Sequence, residues 1–252
     1  VVDKVEPARD VVLGVRGLGV QYETSQGMVH AVSDVSFDVY ANEVFGIAGE
    51  SGCGKSTLIR ALLRLLPDNA TTTSERADYR GQSLFEMDEE EFRRNILWQE
   101  ISLVPQSAMN SFNPVYRVGD QVVESIRTHR DTSVKEARER VAELFDVVGL
   151  QADLMNSYPH EFSGGMRQRA MIAMAMSLDP GLIVMDEPTT GLDPIGVESL
   201  AETLRELAAG GVTIVFSSHQ LDLVEDVCQD VAIINEGRVV LSGRLGDIKN
   251  HS

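Results

Sequence analysis

One nine-residue stretch constrains this chain more than any other. GESGCGKST, residues 49–57, sits between a short apolar run, VFGIA (residues 44–48), and KSTLIRALLRLL (residues 55–66), whose leucines recur at helical spacing until Pro67. Strand, glycine turn and helix follow in that order, and Gly49, Gly54, Lys55 and Ser56 fill the pattern G-x-x-x-x-G-K-S/T. Glycines at 49, 52 and 54 let successive backbone N–H groups turn inward around an anion, and the helix start adds the positive end of its dipole. Phosphate oxygens are the expected guests. Lys55 would reach β- and γ-phosphates, Thr57 would support the α-phosphate, and Ser51, Gly52 and Cys53 would complete the cradle. The Ser56 hydroxyl would be an inner ligand of Mg²⁺, a hard cation that favours oxygen.

A second string supports that chemistry. LIVMDE, residues 182–187, delivers four apolar residues and then two carboxylates at a strand's C-terminal end, where open α/β sheets bind ligands. Asp186 suits the Mg²⁺ shell and Glu187 suits polarising an attacking water. The chain as a whole is acidic: 39 Asp and Glu against 22 Lys and Arg give a formal charge of −17 over 252 residues. With a sequence pI of about 4.6, that balance excludes a domain that grips nucleic acid through a basic face. Only four bases are lysines (Lys4, Lys55, Lys135, Lys249), and one of them sits in the glycine turn, so the positive charge a phosphate needs is local. The most apolar stretch, AMIAMAMSL at residues 170–178, falls short of the roughly 20 residues that span a bilayer. The start, VVDKVEPARD, has no basic stretch followed by an apolar run, so no secretory leader is expected. Two cysteines, Cys53 and Cys228, cannot form a disulfide framework, and a reducing compartment is expected.

Along the chain, alternating runs at residues 11–15, 28–32 and 35–39 predict an antiparallel β layer, and the polar residues 68–80 predict an exposed connection. Helical patterns at 119–128, 134–148 and 164–178 predict a helical insertion into an α/β core. That core resumes with a strand at 182–185, a helix at 195–209, a strand at 212–216, a helix at 221–227, and short strands at 231–234 and 239–241. Strands alternating with helices indicate a parallel sheet. The expected organisation is a single domain, residues 1–252, whose core is 1–106 and 180–252 and whose helical part is 107–179.

FSGGMRQR, residues 162–169, lies between the lysine turn and LIVMDE. It resembles the signature of ATP-binding-cassette (ABC) ATPases, and the family's remaining motifs occur in order over essentially the whole chain. The resemblance implies a P-loop NTPase (RecA-like) core with an N-terminal antiparallel β subdomain and an inserted helical subdomain. It also implies roles. Tyr22 resembles the aromatic that stacks on adenine. Gln106, after ISLVP, matches the glutamine that contacts Mg²⁺ or the attacking water. Ser163, Gly164 and Gly165 resemble the residues that reach the γ-phosphate of ATP held by an opposite subunit, which implies a head-to-tail dimer. Asp193, in TTGLD, matches the aspartate that communicates across that dimer, and His219, in FSSH, the histidine that contacts γ-phosphate and water.

YPHEFSGGMRQR, SFNP and DEPTTGLD are similar to the ATPase subunits of oligopeptide and dipeptide importers, whose relatives also move nickel complexes and oligosaccharides. The implied partners are membrane-spanning permease subunits, a second ATPase subunit and, indirectly, an extracytoplasmic substrate-binding protein. The implied location is the cytoplasmic face of the cell membrane, held through the permease. Homodimer and heterodimer both remain open, since GESGCGKST resembles one partner of such pairs and FSGGMRQR the other. Phe112, Val115 and Tyr116 are candidates either for a permease groove or for internal packing. Two other classes compete: a soluble non-transport cassette, which would show coiled coils or basic surfaces, and a non-hydrolysing regulatory cassette, against which Lys55, Asp186, Glu187 and His219 all speak.

Overall fold

The computed structural model describes residues 9–106 and 108–250, so Lys4 and position 107, where the helical part was expected to begin, lie outside the described residues. The chain opens with β1 (Val11–Thr24) and β2 (Gly27–Tyr40), which pair antiparallel from Val11↔Tyr40 to Thr24↔Gly27. The runs 28–32 and 35–39, expected as two strands, are one. Between Leu18↔Val35 and Val20↔Val32 the second strand carries an extra residue, and Asp34 at φ 54° absorbs it as a bulge instead of a turn. β3 (Val44–Ala48) is buried at every position and leads through the glycine turn into α1 (Lys55–Leu62). The helix ends earlier than its leucine pattern, which ran to residue 66, because Arg64 takes φ 52° ahead of Pro67.

The stretch 68–80 is largely exposed, as expected, but it is sheet and not a mere connection. It holds β4 (Ala70–Thr73) and β5 (Arg76–Tyr79), both paired antiparallel with β1, and β6 (Gln82–Ser83) continues the sheet beside β5. Threonine suits a pleated surface despite its polarity, and Ala77 and Tyr79 alternate inward into the core. α2 (Glu89–Asn95) starts where the Asp88 side chain accepts the Glu91 N–H at 2.8 Å. β7 (Ile101–Val104) follows.

Three helices come next: α3 (Val118–His129), α4 (Val134–Val147), which starts at a reciprocal Ser133–Glu136 capping box, and α5 (Gly164–Ala175). The chain then alternates through β8 (Leu182–Met185), α6 (Pro194–Ala209), β9 (Thr213–Ser218), α7 (Leu221–Val227), β10 (Asp230–Asn235), β11 (Arg238–Arg244) and α8 (Leu245–Asn250). The central sheet runs β11-β10-β3-β9-β8-β7. All its pairings are parallel except the last hairpin, where Glu236 and Gly237, both at positive φ, return β11 antiparallel along the edge.

Alternate residues of each buried strand serve opposite faces of the sheet. Ile183, Met185, Ile214 and Phe216 join a core with Val122, Leu144, Phe145 and Ile172 of the helices, while Phe45, Ile47, Val184 and Val215 join a core with β1, β2 and α1. The C-terminal ends of β3, β9 and β8 therefore open side by side, between two well-packed layers. Among the described residues, no helix is long and apolar enough to cross a membrane.

Candidate active site

The turn after β3 is shaped by what presses on it. A Cβ at Gly49 would lie 2.3 Å from the Ile234 carbonyl oxygen, and one at Gly54, which caps α1 at φ 109°, would lie 2.5 Å from that of Ala31. Only glycine passes both places. The cavity this leaves, about 170 Å³, is lined by Ser51, Gly52, Gly54, Lys55, Ser56 and Thr57 from the turn, with Ala31, Gln106 and Glu187 completing the wall. Gly49 and Cys53 support it from behind: Cys53 is buried in the core below, and its carbonyl accepts the Gly237 N–H at 2.9 Å. Tyr22, on β1, stands beside the cavity with its hydroxyl 3.4 Å from Thr57 Oγ1.

Lys55 is buried, and its ammonium has three acceptors: the carbonyls of Gly49 at 2.7 Å and Glu50 at 2.9 Å, and Glu187 Oε1 at 3.0 Å. These match its three donors. Asp186 is fixed from two strands. Its N–H donates to Val104 O on β7 at 2.9 Å, and its Oδ1 accepts the hydroxyls of Ser56 at 2.8 Å and Ser217 at 2.9 Å. Glu187 turns sharply at φ 46°, with its N–H on Ser217 Oγ at 2.9 Å. Its second carboxylate oxygen lies 2.7 Å from His219 Nδ1 at the end of β9. His219 itself is half exposed and also lines a separate groove between α6 and α7.

The donors suit Mg²⁺ bound to a nucleotide. Ser56 and Asp186 present hard oxygens within 2.8 Å of each other, with the Gln106 side chain on the same cavity. Among the described residues no cluster of three or more His, Cys, Asp or Glu side chains could cage a metal alone, so phosphate oxygens and water would have to supply most of its shell.

Ser163, Gly164 and Gly165 do not touch this cavity. Ser163 caps α5, its hydroxyl accepting the Met166 N–H at 3.3 Å, and Asp193 caps α6 by accepting the Gly196 N–H at 2.7 Å. The two helix starts meet so closely that a Cβ on Gly165 would lie 3.3 Å from Gly196 Cα. Together they line a second cavity of about 270 Å³, with Arg169 on its wall. Two helix N-termini and a guanidinium make it attractive to an anion. Burial holds the Arg169 pKa below its ordinary value, and its Nη1 donates to the Gly149 carbonyl at 2.8 Å.

Residues 32–190 match the family model described as ABC transporter. The chain belongs to the ABC transporter family. That match contains the glycine turn, Gln106, the SGG segment and both acids, while Tyr22, Asp193 and His219 lie outside it. A shorter match, residues 156–225, is to an AAA domain model described as a putative AbiEii toxin of a type IV toxin–antitoxin system. The cassette is 38% identical over 241 residues to the dipeptide transport ATP-binding protein DppD of Bacillus subtilis, covering 94% of the cassette and 72% of DppD. It is 38% identical over 242 residues to the oligopeptide transport ATP-binding protein OppD of Escherichia coli, covering 95% and 71%. Among solved structures it resembles cbiO1 of Clostridium perfringens, part of the ABC transporter complex cbiONQ, with a TM-score of 0.82 and 28% identity over 96% of the cassette and 91% of cbiO1. As a member of this family the cassette binds ATP, and its ATP hydrolysis is coupled to transport.

Ser217 is the site residue that motif reading missed. Its only signal was a hydroxyl directly after the apolar run IVF on the buried strand TIVFSS, at the end where the acids gather.

Proposed function

We propose that the cassette is the ATP-hydrolysing subunit of a peptide importer. The observation that carries the reading is one hydrogen-bonded set, Ser56–Asp186–Ser217–Glu187 with Lys55 and His219 on the Glu187 carboxylate, bordering a cavity lined by the glycine turn and the start of α1. In this reading Gly49, Ser51, Gly52, Cys53 and Gly54 shape the cradle, Lys55 holds β- and γ-phosphates, Thr57 steadies the α-phosphate, and Tyr22 stacks on adenine. Ser56, Asp186 and Gln106 hold Mg²⁺, which when bound neutralises phosphate charge. A γ-phosphate reaching Lys55 competes with Glu187 Oε1 for the ammonium. The carboxylate so released orients the attacking water, with His219 keeping it aimed.

Two separate anion-suited surfaces on one chain support a head-to-tail dimer. Ser163, Gly164, Gly165 and Asp193 of one subunit would close over the ATP of the other, whether the partner is a second copy or a different ATPase. The helical part, residues 107–179, would face the permease. Of its three apolar candidates Phe112 is buried, whereas Val115 and Tyr116 are exposed at 70% and 59%, and these two are assigned to a permease helix. That contact would hold the cassette at the cytoplasmic face of the membrane, with a substrate-binding protein acting from the other side.

Peptide cargo rests on the relatives that move dipeptides and oligopeptides. ATP turnover by the reconstituted transporter, with its binding protein and candidate cargoes, tests it. Stimulation by peptides is expected; stimulation by nickel complexes or oligosaccharides in their place reassigns the cargo, and turnover that survives removal of Mg²⁺ contradicts the metal role.

A further inference from the structure

We propose that Ser217 is a positioning residue for hydrolysis: its hydroxyl ties Asp186 to Glu187 and fixes the turn that aims the Glu187 carboxylate. The proposal rests on the assignment of those two acids to ATP hydrolysis.

Ser217 is fully buried on β9, between Phe216 and Ser218, where an apolar side chain would fill the strand equally well. A hydroxyl in such a place is unfavourable unless it is bonded. Here it is bonded on both sides, and only to the acids: it donates to Asp186 Oδ1 at 2.9 Å and accepts the Glu187 N–H at 2.9 Å. Glu187 needs that support. Its φ of 46° is a left-handed conformation that a non-glycine residue seldom adopts, and such conformations persist where the surroundings over-determine them. The Ser217 oxygen holds the Glu187 N–H, and the Thr190 N–H holds the Glu187 carbonyl at 3.1 Å, so the turn is clamped from both sides. From that turn the carboxylate reaches Lys55 and His219 together.

Asp186 shows why one hydroxyl would not suffice. Both Ser56 and Ser217 donate to the same oxygen, but Ser56 lines the cavity and Ser217 does not. Were Ser56 to turn toward a nucleotide-bound metal, Ser217 would keep its hold on Asp186 from the sheet side and so keep the acid pair in register.

The test compares wild type, Ser217→Ala, Ser217→Thr and Glu187→Gln for ATP turnover, ATP binding in EDTA, and hydrogen exchange at the Glu187 amide. Ser217→Ala is expected to lower kcat by about 10-fold or more, in the range seen when supporting hydrogen bonds of a site are removed. ATP binding in EDTA should stay within about twofold, and the Glu187 amide, deprived of its acceptor, should exchange faster. Ser217→Thr restores the hydroxyl and should recover most of kcat. Wild-type kcat in Ser217→Ala, while Glu187→Gln is stalled, overturns the role of Ser217 and leaves that of Glu187 standing. Loss of kcat and of binding together, with Thr no better than Ala, marks a merely structural serine and also overturns the proposal. Normal turnover in Glu187→Gln overturns the underlying assignment instead.

Discussion

The two ends of β3 carry the same ingredients and do different things with them. At the C-terminal end, buried Glu187 meets one lysine, Lys55, beside a cavity. At the N-terminal end, buried Glu43 and Asp230 share one arginine, Arg9, whose guanidinium also lies over the Tyr40 ring. The two acids of the N-terminal cluster are sealed in beneath a partly exposed Arg9. Burial, reinforced by Asp230, pushes the Glu43 carboxyl up to about 7 despite Arg9 and the Tyr40 N–H it accepts at 2.7 Å. The C-terminal cluster opens onto a cavity at the start of α1, so a phosphate can replace the carboxylate on its lysine. A buried charge cluster becomes a site when a ligand can take over one of its bonds. Changes at the open end should therefore alter binding or rate, and changes at the sealed end should alter stability alone.

Lys55→Ala should have the largest effect at the open end. It removes charge-assisted bonds worth about 2–3 kcal/mol, so ATP affinity should drop by about 100-fold in a direct binding titration. Unchanged affinity would break the contrast, because the lysine would then be as structural as Arg9. Gly164→Asp places a carboxylate where the second surface is read as closing on a partner's phosphate. Turnover should fall by about tenfold or more while binding of ATP to the isolated subunit stays within about twofold. Loss of binding by the isolated subunit would mean that the two surfaces are not separate half-sites.

The smallest effect belongs to the sealed end. With the Glu43 pKa raised in the folded state, the folded chain binds the extra proton between about pH 4.5 and 7 and the unfolded chain does not. Stability from this group is thus present at low pH and lost as pH rises toward 7. Glu43→Gln should remove that slope and raise stability above pH 7 by about 2 kcal/mol, read in denaturant melts, with ATP turnover unchanged. A drop in turnover would tie the two ends together.

The sequence showed the site better than the scaffold around it. Lys55, Ser56, Asp186 and Glu187 were legible because phosphate and Mg²⁺ chemistry demands those types at fixed spacing after buried strands. The two paired strands at 70–79 were not, since RADY buries only alternate residues, ATTT buries none fully, and both look polar in a window. The length of β2 was hidden by Asp34, a turn-like residue absorbed as a bulge. The packing of Phe112 against the exposure of Val115 and Tyr116 needed the fold, because apolar character alone does not say which way a loop residue points. The contact between Glu187 and His219 joins the ends of two neighbouring strands, and nothing local in either strand announces it.

The most direct test is ATP binding and ATP turnover measured on one preparation of Glu187→Gln beside wild type. The neutral amide keeps the shape of the site but cannot take a proton from water, so binding should remain within about twofold while turnover falls by about 100-fold or more. Turnover at the wild-type rate would contradict the account.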